Sequence, residues 1–294
     1  MTTTKKTTAA TTKTKTTATK KPAAPKVEAP IPDLPANPFI FEVLQVVDKQ
    51  RSTARSSATE AIIDQGLRSY MLKVYNYMAS GVLLTGFVAL LFFKMAVVTS
   101  AEGQIIGLTN FGNSIYASGL KWVIMLAPLA IVFYMSFGIA KMSAAKAQTT
   151  FWVFAALMGA SLSSIFLIYT GASITRVFFI TAGTFGAMSI YGYTTKRDLT
   201  KLGSFLMMGL FGIIIASLVN IFMKSSMMYF VISIIGVLVF VGLTAYDTQK
   251  IKNMYLVSDS GELMGKKAVM GALTLYLDFI NLFIMLLRLF GQRR

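Results

Sequence analysis

Two aspartates stand where aspartates are costly. Asp247 closes a long apolar run, residues 230–244, within the stretch GLTAYDTQKIKNMY at 242–255. Asp278 lies inside the next apolar run, 268–290. A carboxylate at hydrocarbon depth is expensive, faces protein or water, and by default marks a functional path. If two of them meet in a poor solvent they cannot both ionise easily, so they share a proton and titrate as one unit. The chain has no histidine, so the usual neutral-pH switch and commonest metal ligand are missing. A response to pH near neutrality therefore falls to carboxylates or to an unusual lysine.

Polar residues surround both positions. Tyr246, Thr248 and Gln249 flank Asp247, and Tyr276 and Asn281 flank Asp278. Hydroxyl, amide and carboxylate oxygens suit hard cations such as calcium. Two carboxylates are too few for a closed cage of roughly six to eight oxygens, so the pair suits a transit site rather than a resident metal. No cofactor is expected, and calcium enters as a permeant ion. Lys141 follows the second apolar run, on the same predicted side as Asp247. It reads as an ordinary loop lysine, or as a partner for a site carboxylate if it folds back. There is no cysteine, so neither disulfides nor thiolate metal sites enter.

Such residues need helices to carry them. The chain is 55% apolar and 14% charged, a balance beyond what a soluble domain requires. Seven apolar runs occupy residues 75–98, 120–140, 151–169, 177–193, 205–223, 227–246 and 268–290. Most approach the ~20 residues that cross ~30 Å of hydrocarbon. The fold class is thus an all-α integral membrane protein with seven transmembrane helices and a disordered N-terminal tail. The expected organisation is a tail over 1–37, an amphipathic lead-in over 38–73 and a membrane domain over 74–294. The tail is built mainly of Thr, Lys, Ala and Pro and buries too little apolar surface to order itself. Residues 38–47 hold an apolar patch too short to span, and Thr59 offers a cap for a helix over 57–70. Short connections at 170–176 and 224–226 make spans three and four, and five and six, antiparallel neighbours. Small residues such as Gly159, Gly183, Gly186, Gly192, Gly209 and Gly212 mark positions where helices can approach closely. No strong internal repeat is evident, although six spans before the last allow two groups of three.

The net charge of +16 does not point to nucleic acid. Seven lysines and no acid fall within residues 1–26, and most other basic residues flank apolar runs. That is a membrane-orientation pattern. Loops after spans two, four and six are basic, whereas residues 99–119 carry no Lys or Arg. The N-terminus is therefore expected in the cytoplasm, with the lipid bilayer as the partner. The alternation fails at the last step, where a full seventh crossing puts Arg293 and Arg294 outside. Measured along the helices, Asp247 falls ~30 Å from the start of span six, at the cytoplasmic edge of the hydrocarbon core, and Asp278 ~15 Å into span seven.

The motifs resemble those of the transmembrane BAX inhibitor motif family, also called the Bax inhibitor-1 family, in its bacterial YccA-like branch. GLTAYDTQKIKNMY followed by LYLDFINLF carries the resemblance, together with AIIDQGLRSYM at 61–71, YNYM at 75–78 and YGYTTKRDL at 191–199. It covers residues 61–290. The resemblance implies seven helices with the C-terminal one central and wrapped by the others. It implies a pH-sensitive calcium leak gated by a di-aspartyl pair, which maps onto Asp247 and Asp278, in a bacterial inner membrane. It also implies a basic latch on the second span; there the chain reads SFGIAKMS, with Lys141 as its one basic residue. An alternative role carried by the resemblance is the modulation of a membrane-bound quality-control protease. An intramembrane aspartyl protease is disfavoured, because Leu275, Tyr276 and Leu277 precede Asp278 in place of a Gly-x-Gly. The chain is not expected to be an enzyme.

Overall fold

A computed structural model describes residues 38–101 and 104–294, without the side chains of 38–44 and 54–59. The predicted tail over 1–37 lies outside the described residues. The chain divides into a unit ending at Ser56 and a second, Ser57–Arg294, that holds the membrane helices.

Nine α-helices are described, seven of them long. They are α1 (Pro38–Ala96), α2 (Asn110–Gly112), α3 (Leu120–Gly138), α4 (Ala144–Leu162), α5 (Ile165–Ile168), α6 (Gly171–Thr194), α7 (Thr200–Met223), α8 (Ser226–Asn253) and α9 (Gly261–Phe290). Seven stretches are long and apolar enough to cross a membrane, as the hydropathy pattern requires. The helix start expected at Thr59 is absent, since α1 is continuous through it. Extending a helix costs little once it is nucleated, so a cap-type residue inside it need not end it.

The order of burial makes α9 the axis of the fold. Of its most apolar window 72% is buried, against 39% for α8 and 11% for α3 and α7. α9 packs against α4, α6 and α8, while α7 packs on α8 and α3 on α4. Thr85 of α1 donates to the Ala155 carbonyl of α4 at 2.8 Å and bonds the Tyr276 hydroxyl of α9 at 2.6 Å. Phe151 and Phe154 of α4 meet the Tyr276 ring edge-on. α3 packs on α4, and α6 and α7 pack on α8; α1 bonds to α4 through Thr85 and to α6 through Tyr75.

One expected neighbour pair is not formed. α4 and α6 share a short connection, yet α4 packs on α3 and α9, and α6 on α8 and α9, rather than on each other. A larger apolar face wins over chain proximity. α7 and α8 do pack together, with Lys224 in the left-handed region at φ 52 making the reversal between them.

The segment between α1 and α3 is not plain loop. β1 (Val97–Thr99) and β2 (Ile105–Leu108) pair antiparallel. Tyr116 then donates to Ser163 at 2.8 Å, tying this segment to the end of α4. Val97 and Val98 extend the apolar run of span one, which hides the change from helix to strand.

Small residues mark only some of the close contacts. A methyl group on Gly192 would strike the Ala245 backbone carbonyl of α8, whereas Gly183, Gly186 and Gly212 face open space. Gly192→Ala is therefore expected to lose ~1–3 kcal/mol through overpacking. Gly183→Ala should be neutral or gain up to ~1 kcal/mol from helix propensity. Thermal unfolding in detergent separates the two, and equal midpoints would contradict the packing.

Candidate functional site

Asp247 sits inside α8, not at its end. The apolar run stops at Thr244, but the helix continues to Asn253. Lys250 and Lys252 occupy its last turn, where cations complement the helix dipole. The acid expected at an interface is consequently buried, at 8% exposure, and Asp278 is buried at 5%.

The two carboxyl groups lie within hydrogen-bonding reach of each other. Ionised carboxylates offer acceptors and no donor, so this contact is a hydrogen bond only while one of them carries a proton. Asp278 Oδ2 is buried and has no hydrogen-bond donor among the described residues. Two carboxyl groups so placed are able to share one proton.

Helix register brings them together. α9 begins at Gly261, earlier than the apolar run suggests, so Asp278 lies ~26 Å along it rather than ~15 Å. Lys267 Nζ donates to the Met254 carbonyl at 2.8 Å and pairs with Asp259 at 2.7 Å. That link sets Lys267 level with the end of α8, so the first turns of α9 lie beyond it. From this level Asp247 lies ~10 Å back along α8 and Asp278 ~16 Å up α9. The remaining difference is within the reach of two crossing helices and their side chains.

The flanking residues serve elsewhere. Gln249 accepts from Leu199 N at 2.9 Å and donates to the Arg197 carbonyl at 2.8 Å, holding the α6–α7 connection. The Tyr246 ring packs over Gly203 of α7. Tyr276 points its hydroxyl to Thr85, on the opposite side of α9 from Asp278, as a two-residue step of about 200° requires. Asn281 is half-buried one turn beyond Asp278. None of these four makes a described hydrogen bond to either aspartate.

Lys141 is exposed on the short turn Ile139–Lys141. The one ion pair among the described residues is Lys267–Asp259, so Lys141 is not bonded to a site carboxylate there. The cation whose charge acts on Asp247 is Lys250, one helical turn on. Its i, i+3 spacing was the available signal. Thr248 bonds Ser189 of α6 at 3.0 Å, and Ser189 bonds the Tyr75 hydroxyl of α1 at 2.6 Å. This three-residue chain braces α8 beside the pair. Its members are far apart in sequence, and no local pattern links them.

Among the described residues no group of three or more acidic, His or Cys side chains is placed to hold a metal. Chemically the arrangement offers two buried carboxyl groups and, one turn along α8, a lysine.

The profile described as "Inhibitor of apoptosis-promoting Bax1" matches residues 67–294, which include both aspartates. Inner membrane protein YbhL of Escherichia coli (strain K12) is 50% identical over 231 residues, covering 78% of this chain and 94% of that protein. A Rickettsia prowazekii protein, RP147, is 50% identical over 242 residues, 82% of this chain and 97% of its own length. A protein of Caulobacter vibrioides is 41% identical over 259 residues, 84% and 99%. These matches cover the seven-helix region nearly end to end. The chain therefore belongs to the Bax inhibitor-1 family and is a multi-pass membrane protein.

Proposed function

We propose that the protein conducts cations, calcium first among them, through a passage gated by Asp247 and Asp278. The observation that supports this most is the meeting of two buried carboxyl groups, one of them on the helix that the others surround. With one proton between them the pair is hydrogen-bonded and joins α8 to α9. Losing that proton sets two like charges side by side. At ~4 Å and an effective dielectric of ~20 their repulsion is ~4 kcal/mol, enough to change the population of two packed states by about a thousandfold. The same two charges attract a divalent cation. The site thus couples proton occupancy to cation passage without histidine.

Loop charge supports a cytoplasmic N-terminus, which sets the pair toward the cytoplasmic side. YbhL bears the name inner membrane protein, and we assign this chain to the same kind of membrane. Calcium is cargo here, held in passing by oxygen ligands too few to retain it. Purified protein in liposomes loaded with a calcium-sensitive dye should admit calcium faster than empty liposomes, at a rate that varies with external pH. Uptake equal to that of empty liposomes at every pH would reject the proposal.

A further inference from the structure

Three cations meet in one crevice at the far end of α8 from the carboxylate pair. Lys224, Arg288 and Arg293 line an open cavity of about 570 Å³ together with Asn220, Ser225 and Tyr229. No carboxylate is among the described residues that line it. Other basic residues lie at this end of the helices, among them Lys94, Lys121 and Arg176, but none of them lines the crevice.

The Arg288 side chain and the backbone of Arg293 are held in place. The Arg288 guanidinium lies 4.8 Å from the centre of the Tyr229 ring. Arg293 sits in a short antiparallel bridge to Tyr169, flanked by bonds from Thr170 N to the Gln292 carbonyl at 3.0 Å and from Arg294 N to the Ile168 carbonyl at 2.9 Å. The C-terminal tail is thus tied back onto the protein. Lys224 is the one non-glycine residue with positive φ among those described. Glycine would occupy that conformation without strain, and a lysine there keeps a charge at the mouth of the crevice. α8 begins at the same point and adds the partial positive charge of its first amides.

The wall of the crevice is apolar, formed by Ile221 and Ile232. The end of α7, the start of α8 and the end of α9 meet here, and the ends of membrane-length helices are where long basic side chains reach the interface. We propose that this crevice binds a phosphate group, that of an anionic phospholipid headgroup whose first methylenes lie on Ile221 and Ile232. Three cationic donors match phosphate oxygens, and the apolar wall matches what is attached to them.

The test uses the full chain in detergent, with thermal unfolding followed as phosphatidylglycerol, phosphatidylcholine or inorganic phosphate is added. Phosphatidylglycerol should raise the midpoint and phosphatidylcholine should not. The double variant Arg288→Gln with Arg293→Gln should need roughly tenfold more phosphatidylglycerol for the same rise. Lys224→Gly should weaken the lipid response while raising the lipid-free midpoint, because glycine suits the backbone there. That variant keeps the test decisive if the double variant fails to fold. A control, Lys201→Gln at the other end of α7, should respond as wild type does. Inorganic phosphate alone giving the full effect would place free phosphate, not lipid, in the same site. Equal responses to the two lipids, or unchanged responses in both crevice variants, would overturn the proposal.

Discussion

In liposomes, Asp278→Asn is expected to admit calcium at one rate across the pH range over which the wild-type rate changes. Asparagine keeps the size of the side chain, and its amide donates to Asp247 as the shared proton does. It cannot ionise, so the two-charge state never forms. The titration of the pair is lost with it, since that titration belongs to both residues together. Asp247→Asn should act in the same way, because removing either member removes the coupling. Asp278→Leu is a different change. It is apolar and of similar bulk, but leaves Asp247 buried without its hydrogen-bond partner on α9, and losing a hydrogen bond made to a charged group costs ~1.5–3 kcal/mol. This variant should therefore unfold at a clearly lower temperature while the asparagine variants stay near wild type. Calcium uptake against pH, with unfolding midpoints measured on the same preparations, distinguishes a gate from a packing role. A wild-type pH slope in both asparagine variants would remove the pair from the mechanism.

Lys267→Met is expected to destabilise the fold by ~3 kcal/mol, at the lower end of the range for breaking a buried ion pair. The reduction from the full range reflects the exposure of the Lys267 side chain, 19% against 5% for Asp259. The variant loses the ion pair to Asp259 and the bond to the Met254 carbonyl together. It also loses the tie that sets the register of α9 against α8, so the pH dependence of calcium uptake should weaken in parallel. Asp259→Asn should be milder, about 1 kcal/mol, since Lys267 keeps the Met254 carbonyl and no charge is stranded on the acid. Unfolding in detergent measures both. A loss below ~1 kcal/mol for Lys267→Met would mean that the register is held by apolar packing alone.

Much of the fold was legible because hydropathy is a local sum. About twenty consecutive apolar residues mark a span whatever they later touch, and seven such runs became the seven membrane-length helices. The central place of the last helix came with the resemblance, and the burial of α9 bears it out. Helix ends were less legible. α8 runs past its apolar stretch to Asn253, and α9 starts before its own at Gly261, because polar turns extend helices beyond the hydrocarbon. Those extra turns moved Asp247 from an expected edge into the interior.

The sequence by itself determined the number of spans, the charge asymmetry of the loops, the absence of histidine, and the positions of Asp278 within the last apolar run and Asp247 at the end of the one before it. Only the tertiary structure decided that the two carboxyl groups meet, that Lys250 rather than Lys141 stands by Asp247, and that Gln249 and Tyr276 turn away from them. It also decided that the C-terminal arginines are gathered with Lys224 in one crevice rather than left loose at a helix end. The reason is geometric. Each residue turns a helix by about 100° and advances it by ~1.5 Å, so which side chains face each other depends on register and azimuth. These are set by contacts such as Lys267 with Met254 and Thr85 with Tyr276, between residues that no local window contains together.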